Sequence, residues 1–120
     1  MKLKAVDFAT VNALPEPLRT SAPSLMKDWN TDERHGQCVE ACNDFLNLLD
    51  TYGLKGDIQS WNAPGFNPKE QGLLPEKTFP WSWEGWYYHA VVEVQGLLID
   101  WTAKQFDPNA PFPTVWRIEK

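Results

Sequence analysis

Residues 89–102 read HAVVEVQGLLIDWT, and the way this stretch folds decides the architecture. Two runs of alternating, mostly apolar residues flank Gln95-Gly96. The pair predicts a two-residue hairpin turn, with glycine supplying the positive φ that such turns require. If the turn sits there, Val94 pairs with Leu97, Val91 with Asp100 and His89 with Thr102. One face then carries Ala90, Val92, Val94, Leu97, Ile99 and Trp101, with no polar member. His89, Val91, Glu93, Leu98, Asp100 and Thr102 fall on the other, so His89 and Asp100 become diagonal neighbours. A slip of one residue would separate them and break the apolar partition.

Working outward, residues 36–53 read GQCVEACNDFLNLLDTYG. Cys38, Ala41/Cys42, Phe45, Leu48/Leu49 and Tyr52 recur at three- and four-residue steps, while Glu40, Asn43, Asp44, Asn47 and Asp50 face away. That periodicity predicts an amphipathic helix from Cys38, stopped by Gly53 in the left-handed region. Residues 1–34 are punctuated by Pro15, Pro17 and Pro23, and "SLMKDW" offers at most a short helix after Ser24. Residues 61–86 hold four prolines, four tryptophans and three glycines, which excludes a long helix and predicts a wrapping loop with short extended pieces.

A chain of 120 residues with 42% hydrophobic content and seven tryptophans reads as one folded domain, 1–120. Within it, residues 1–34 form a proline-punctuated segment and residues 36–107 a catalytic-like core. The fold class expected is α+β, with one central helix packed on a small antiparallel sheet. A formal charge of −5 lacks the basic footprint of a nucleic-acid binder. No segment approaches the roughly 20 apolar residues that span a bilayer. The N-terminal residues, interrupted by Asp7, Asn12 and Pro15, do not read as a secretory signal. Cys38 and Cys42, four apart on one helical face, are poorly placed for a disulfide inside a regular helix. A reducing, cytoplasmic setting follows as the expectation; oligomeric state is not legible.

Cys38 sits where the amide groups and dipole of a helix start stabilise a thiolate, the attacking form of cysteine. His89 is placed to exchange its proton, and Asp100 to hold the imidazole in the right tautomer. The backbone N–H of Cys38, with the Gln37 amide, would face a developing oxyanion. "GQC" opening a helix is similar to the nucleophile motif of transglutaminases. The later "HAVVEV…IDWT" resembles their histidine on one strand followed by Asp-x-Thr on the next. More broadly, the layout resembles the papain-like superfamily, which includes small papain-fold proteins and glutamine-deamidating domains. The resemblance covers residues 36–107 and implies a papain-like or transglutaminase-like fold and a triad of Cys38, His89 and Asp100. It also implies attack on amides of a protein or peptide substrate through a thioester, without cofactor or metal. Val39 departs from the pattern, since an aromatic residue usually follows the nucleophile.

Other readings of the same residues stand beside this one. Cys38, and more simply Cys42, fits the buried stripe of the helix as a small apolar residue. His89 also reads as a strand-end residue or one bonded to a loop carbonyl, and His35 is a rival base three residues before Cys38. Asp100 is either buried with a partner, His89 being the natural one, or exposed on an outward face. Asp107 precedes a proline and reads as a turn former. The C-x₃-C spacing of Cys38 and Cys42, with His35 and His89, is weak for zinc because no second local pair exists. Trp81, Trp83 and Trp86 would line an apolar substrate wall or form a lid on the core. The alternative function is a non-catalytic papain-fold binding module, or an inhibitor or immunity-type protein, that holds its partner through the tryptophan-rich loop.

Overall fold

Gln95 and Gly96 both hold positive φ, 52° and 74°. Two successive left-handed residues make the turn type whose twist matches that of the strands it joins. In this computed structural model, which describes residues 2–31, 37–60, 90–105 and 109–119, the turn connects β3 (Ala90–Val94) to β4 (Leu97–Asp100). Val92 pairs with Ile99, Glu93 with Leu98 and Val94 with Leu97, the register the alternation predicts.

The hairpin is the middle of a larger sheet. β2 (Asp57–Ser60) joins the far side of β3, and β5 (Thr114–Glu119) joins β4. β1 (Lys2–Val6) closes the other edge by pairing with β5, giving the order β1-β5-β4-β3-β2, antiparallel throughout. The described residues thus form an α+β fold, a five-stranded antiparallel sheet with two α-helices.

The first of these helices, α1, runs Glu16–Leu25, followed by a 3-10 turn at Lys27–Trp29. This corrects the expectation of at most a short helix after Ser24. Pro17 does not break the helix because it falls in the first turn, where a missing N–H loses nothing. Pro23 lies in the last turn, so it removes one late hydrogen bond without interrupting a long helix. Leu18 and Ala22 face inward, both at 0% exposure. The Arg19 guanidinium donates to the carbonyls of Leu14 and Ala9, tying the preceding loop to the helix.

The second helix, α2, spans Cys38–Thr51 as its periodicity requires. Gly53, at φ 71°, reverses the chain behind it. The Leu54 N–H donates to the Leu49 carbonyl at 3.0 Å and the Gly53 N–H to the Asp50 carbonyl at 3.0 Å, which satisfies carbonyls that the helix end would strand. Trp29 Nε1 donates to Asp44 Oδ2 at 2.9 Å, and the hydroxyls of Ser21 and Tyr52 bond at 3.1 Å. Both bonds clasp the N-terminal segment to α2.

One apolar cluster joins these layers. Ala90, Val92, Val94, Leu97, Ile99 and Trp101 supply the sheet side, as the alternation predicts, together with Val115. Cys38, Ala41, Cys42, Phe45 and Leu49 come from α2, and Phe8, Val11, Leu14, Leu18, Ala22, Met26 and Trp29 from the N-terminal segment. The N-terminal segment from Phe8 to Trp29 therefore contributes to the core. The opposite face of the hairpin is buried as well, with Val91 at 0% and Leu98 at 2% exposure. A strand covered on both faces explains the unbroken apolar run Leu97-Leu98-Ile99, which a half-buried strand would not carry.

Candidate functional site

Cys38 is the first residue of α2, and Gln37 caps the helix by position but forms no side-chain cap bond. The Gln37 carbonyl accepts the Ala41 N–H at 3.2 Å, and its side chain is exposed at the helix start. A helix start without a side-chain cap leaves its first-turn amides to other acceptors, and their partial positive charge favours an anion there. The sulfur itself is enclosed, for Cys38 is 2% exposed.

Cys42 follows one turn later on the same buried face, at 4% exposure. Both cysteines are free thiols. Burial, then the Asp100 carboxylate, then Cys38 push the Cys42 thiol far above its usual value. Cys38, Cys42 and Asp100 are all buried, the two thiols on α2 and the carboxylate at the end of β4. The upward shift keeps Cys42 protonated, and so chemically quiet, at neutral pH.

Asp100 closes β4 and is 2% exposed, which removes the reading of an outward-facing carboxylate. An ionised carboxylate in such a place needs donors. Thr102 provides two, its backbone N–H at 2.9 Å and its hydroxyl at 3.3 Å, both to Asp100 Oδ1. The chain can deliver them because it leaves the strand after Asp100 and turns into a 3-10 segment at Ala103–Gln105. Between the two residues, Trp101 turns into the core against Phe8, Phe45 and Phe112, with ring centroids 5.5, 5.1 and 5.0 Å away. Its buried indole N–H finds no hydrogen-bond partner among the described residues.

Of the residues expected in the site, Cys38 and Asp100 are buried and Gln37 is exposed at the helix start. His89, Trp81, Trp83 and Trp86 lie outside the described residues, as do His35 and Asp107. Thr102 as a partner of Asp100 was not read from the sequence, where His89 was the partner expected. The signal was present: an aspartate two residues before a donor is the spacing of a side-chain-to-backbone turn. Among the described residues, no three of His, Cys, Asp and Glu are grouped to hold a metal ion. No described helix is long and apolar enough to cross a membrane. Comparison with known proteins finds no match to this chain: no family model, no curated protein and no solved structure aligns with it.

Proposed function

We propose that the protein is a cysteine-dependent enzyme acting on amide carbonyls, in a papain-like or transglutaminase-like arrangement. Cys38 is the nucleophile, His89 the base and Asp100 the residue that orients it. The observation that supports this reading is the buried Asp100 carboxylate, fixed by two bonds from Thr102, together with Cys38 at the first position of α2. Burying a carboxyl group carries a cost, and functional sites are where such costs concentrate.

In this mechanism the Cys38 thiol gives its proton to His89 and its sulfur bonds to the carbonyl carbon of a protein or peptide amide. The carbonyl oxygen gains the electron pair, facing the Cys38 N–H and the Gln37 amide. The pair then returns, the C–N bond breaks, and His89 passes its proton to the departing amine or ammonia. Water or a second amine attacks the thioester and regenerates the thiol. Peptide hydrolysis, glutamine deamidation and acyl transfer share the first half of this sequence. Trp81, Trp83 and Trp86 are assigned to the acyl side of the site, and two free thiols suit a reducing cytoplasmic compartment.

The 2% exposure of Cys38 favours a second reading, a non-catalytic module in which both cysteines are core residues. Alkylation of the intact protein by iodoacetamide at pH 7, read by peptide mass spectrometry, separates the two. For the enzyme, Cys38 reacts at least about tenfold faster than Cys42, and His89→Ala slows it. Equal sluggishness of both thiols, indifferent to His89→Ala, would establish the binding module instead.

A further inference from the structure

We infer that Thr102 is a positioning residue that sets the orientation of the Asp100 carboxylate. The inference rests on the catalytic reading above and names a residue that the Cys38–His89–Asp100 assignment omits. An aspartate's last torsion is soft and broad, so a buried carboxylate does not choose its own rotation. Here Oδ1 receives two donors from one residue, the N–H of Thr102 at 2.9 Å and its hydroxyl at 3.3 Å. With Oδ1 pinned, the place of Oδ2 is set as well. An orienting carboxylate needs this property, because its task is to present one oxygen in one direction.

Thr102 is itself held. The residue between it and Asp100 is Trp101, anchored by Phe8 from the N-terminal segment, Phe45 from α2 and Phe112 from the chain entering β5. Three separate parts of the molecule therefore fix the backbone from which both donors issue. Thr102 is 3% exposed, so solvent scarcely competes for these bonds. Its hydroxyl lies beyond the end of β4, so the strand ladder does not account for it.

The test compares Thr102→Val, which keeps the backbone donor and removes the hydroxyl, with Thr102→Ser, which keeps both. Cys38 alkylation is followed from pH 5 to pH 10 in the full chain, with melting temperature measured in parallel. Thr102→Val is expected to slow alkylation at pH 7 by about tenfold and to displace the pH profile, as loss of a hydrogen bond to a charged group would. Thr102→Ser should restore the profile. A Thr102→Val profile that superimposes on that of the unaltered protein, with or without a lower melting temperature, overturns the inference and leaves Thr102 a merely structural residue. Running His89→Ala alongside keeps the two proposals apart. If His89→Ala alters the profile and Thr102→Val does not, only the Thr102 role is lost. If Thr102→Val alters it and His89→Ala does not, the base assignment fails while the positioning of Asp100 stands. Should Thr102→Val not fold, the amide proton resonance of Thr102 in the unaltered protein decides. It must move with the ionisation of the carboxylate it bonds, and a flat titration overturns the inference.

Discussion

Cys42 lies one turn into α2 on its buried face, where a thiolate would have little solvent to stabilise it. Burial and the neighbouring Asp100 and Cys38 raise the Cys42 thiol, so the folded state keeps its proton where the unfolded chain would release it. The unfolded thiol ionises near pH 8.5, at roughly the free-cysteine value. Above that pH the native state binds more protons than the unfolded one, and stability falls as pH rises. Below it, the contribution of Cys42 is complete. The slope from this one group is at most about 1.4 kcal/mol per pH unit. Urea midpoints at pH 7, 9 and 10 should therefore decline in the unaltered protein and decline less steeply in Cys42→Ala. Parallel declines would mean that Cys42 titrates as an ordinary exposed thiol.

At the scale of the element, the β3–β4 turn carries a mild internal conflict. Gln95 holds φ 52°, a region that costs an ordinary L-residue about 1 kcal/mol. Asparagine tolerates that conformation and is preferred before glycine in this turn. Gln95→Asn should raise stability by about 0.5 kcal/mol, seen as a higher melting temperature; a fall would contradict the turn geometry. The hairpin and α2 were legible because each has a local signature, strict alternation around Gln-Gly in one and a three-to-four-residue stripe ending at Gly53 in the other. α1 was not, because Pro17 and Pro23 read as breakers until the helix boundaries show them in its first and last turns. β5 hid for a different reason. Val115 and Trp116, at 2% and 9% exposure, are buried on opposite faces of the sheet, so the run shows no apolar-polar alternation. β2 is four residues long and carries Asp, Gln and Ser, too short and polar to stand out. In the candidate site, the helix-start position of Cys38 and the burial demand of Asp100 were both legible. The Thr102 bonds were not, because they depend on how the chain leaves β4.

For the molecule as a whole, the decisive pairings are those between distant parts of the chain. β1 gains its only described strand partner from β5, and the core joins Phe8 and Leu18 to Phe45 and Trp101. No local pattern announces contacts at such separation, so the proline-punctuated N-terminal segment gives no sign of its place in the core. Leu18 is fully enclosed, and losing a leucine side chain from such a position costs about 2–5 kcal/mol by itself. Removal of residues 1–31 should consequently abolish the cooperative urea transition, followed by tryptophan fluorescence. A truncated chain that still unfolds cooperatively would make this segment an appendage.

The pairing of Lys2 with Glu119 has one more result. Lys2 and Glu119 occupy a shared corner of the sheet. That corner lies about 17 Å along β5 from Thr114, the residue opposite Asp100. Fluorophores placed on Lys2 and Glu119 would sit close to each other and report directly on whether the β1–β5 pairing is formed.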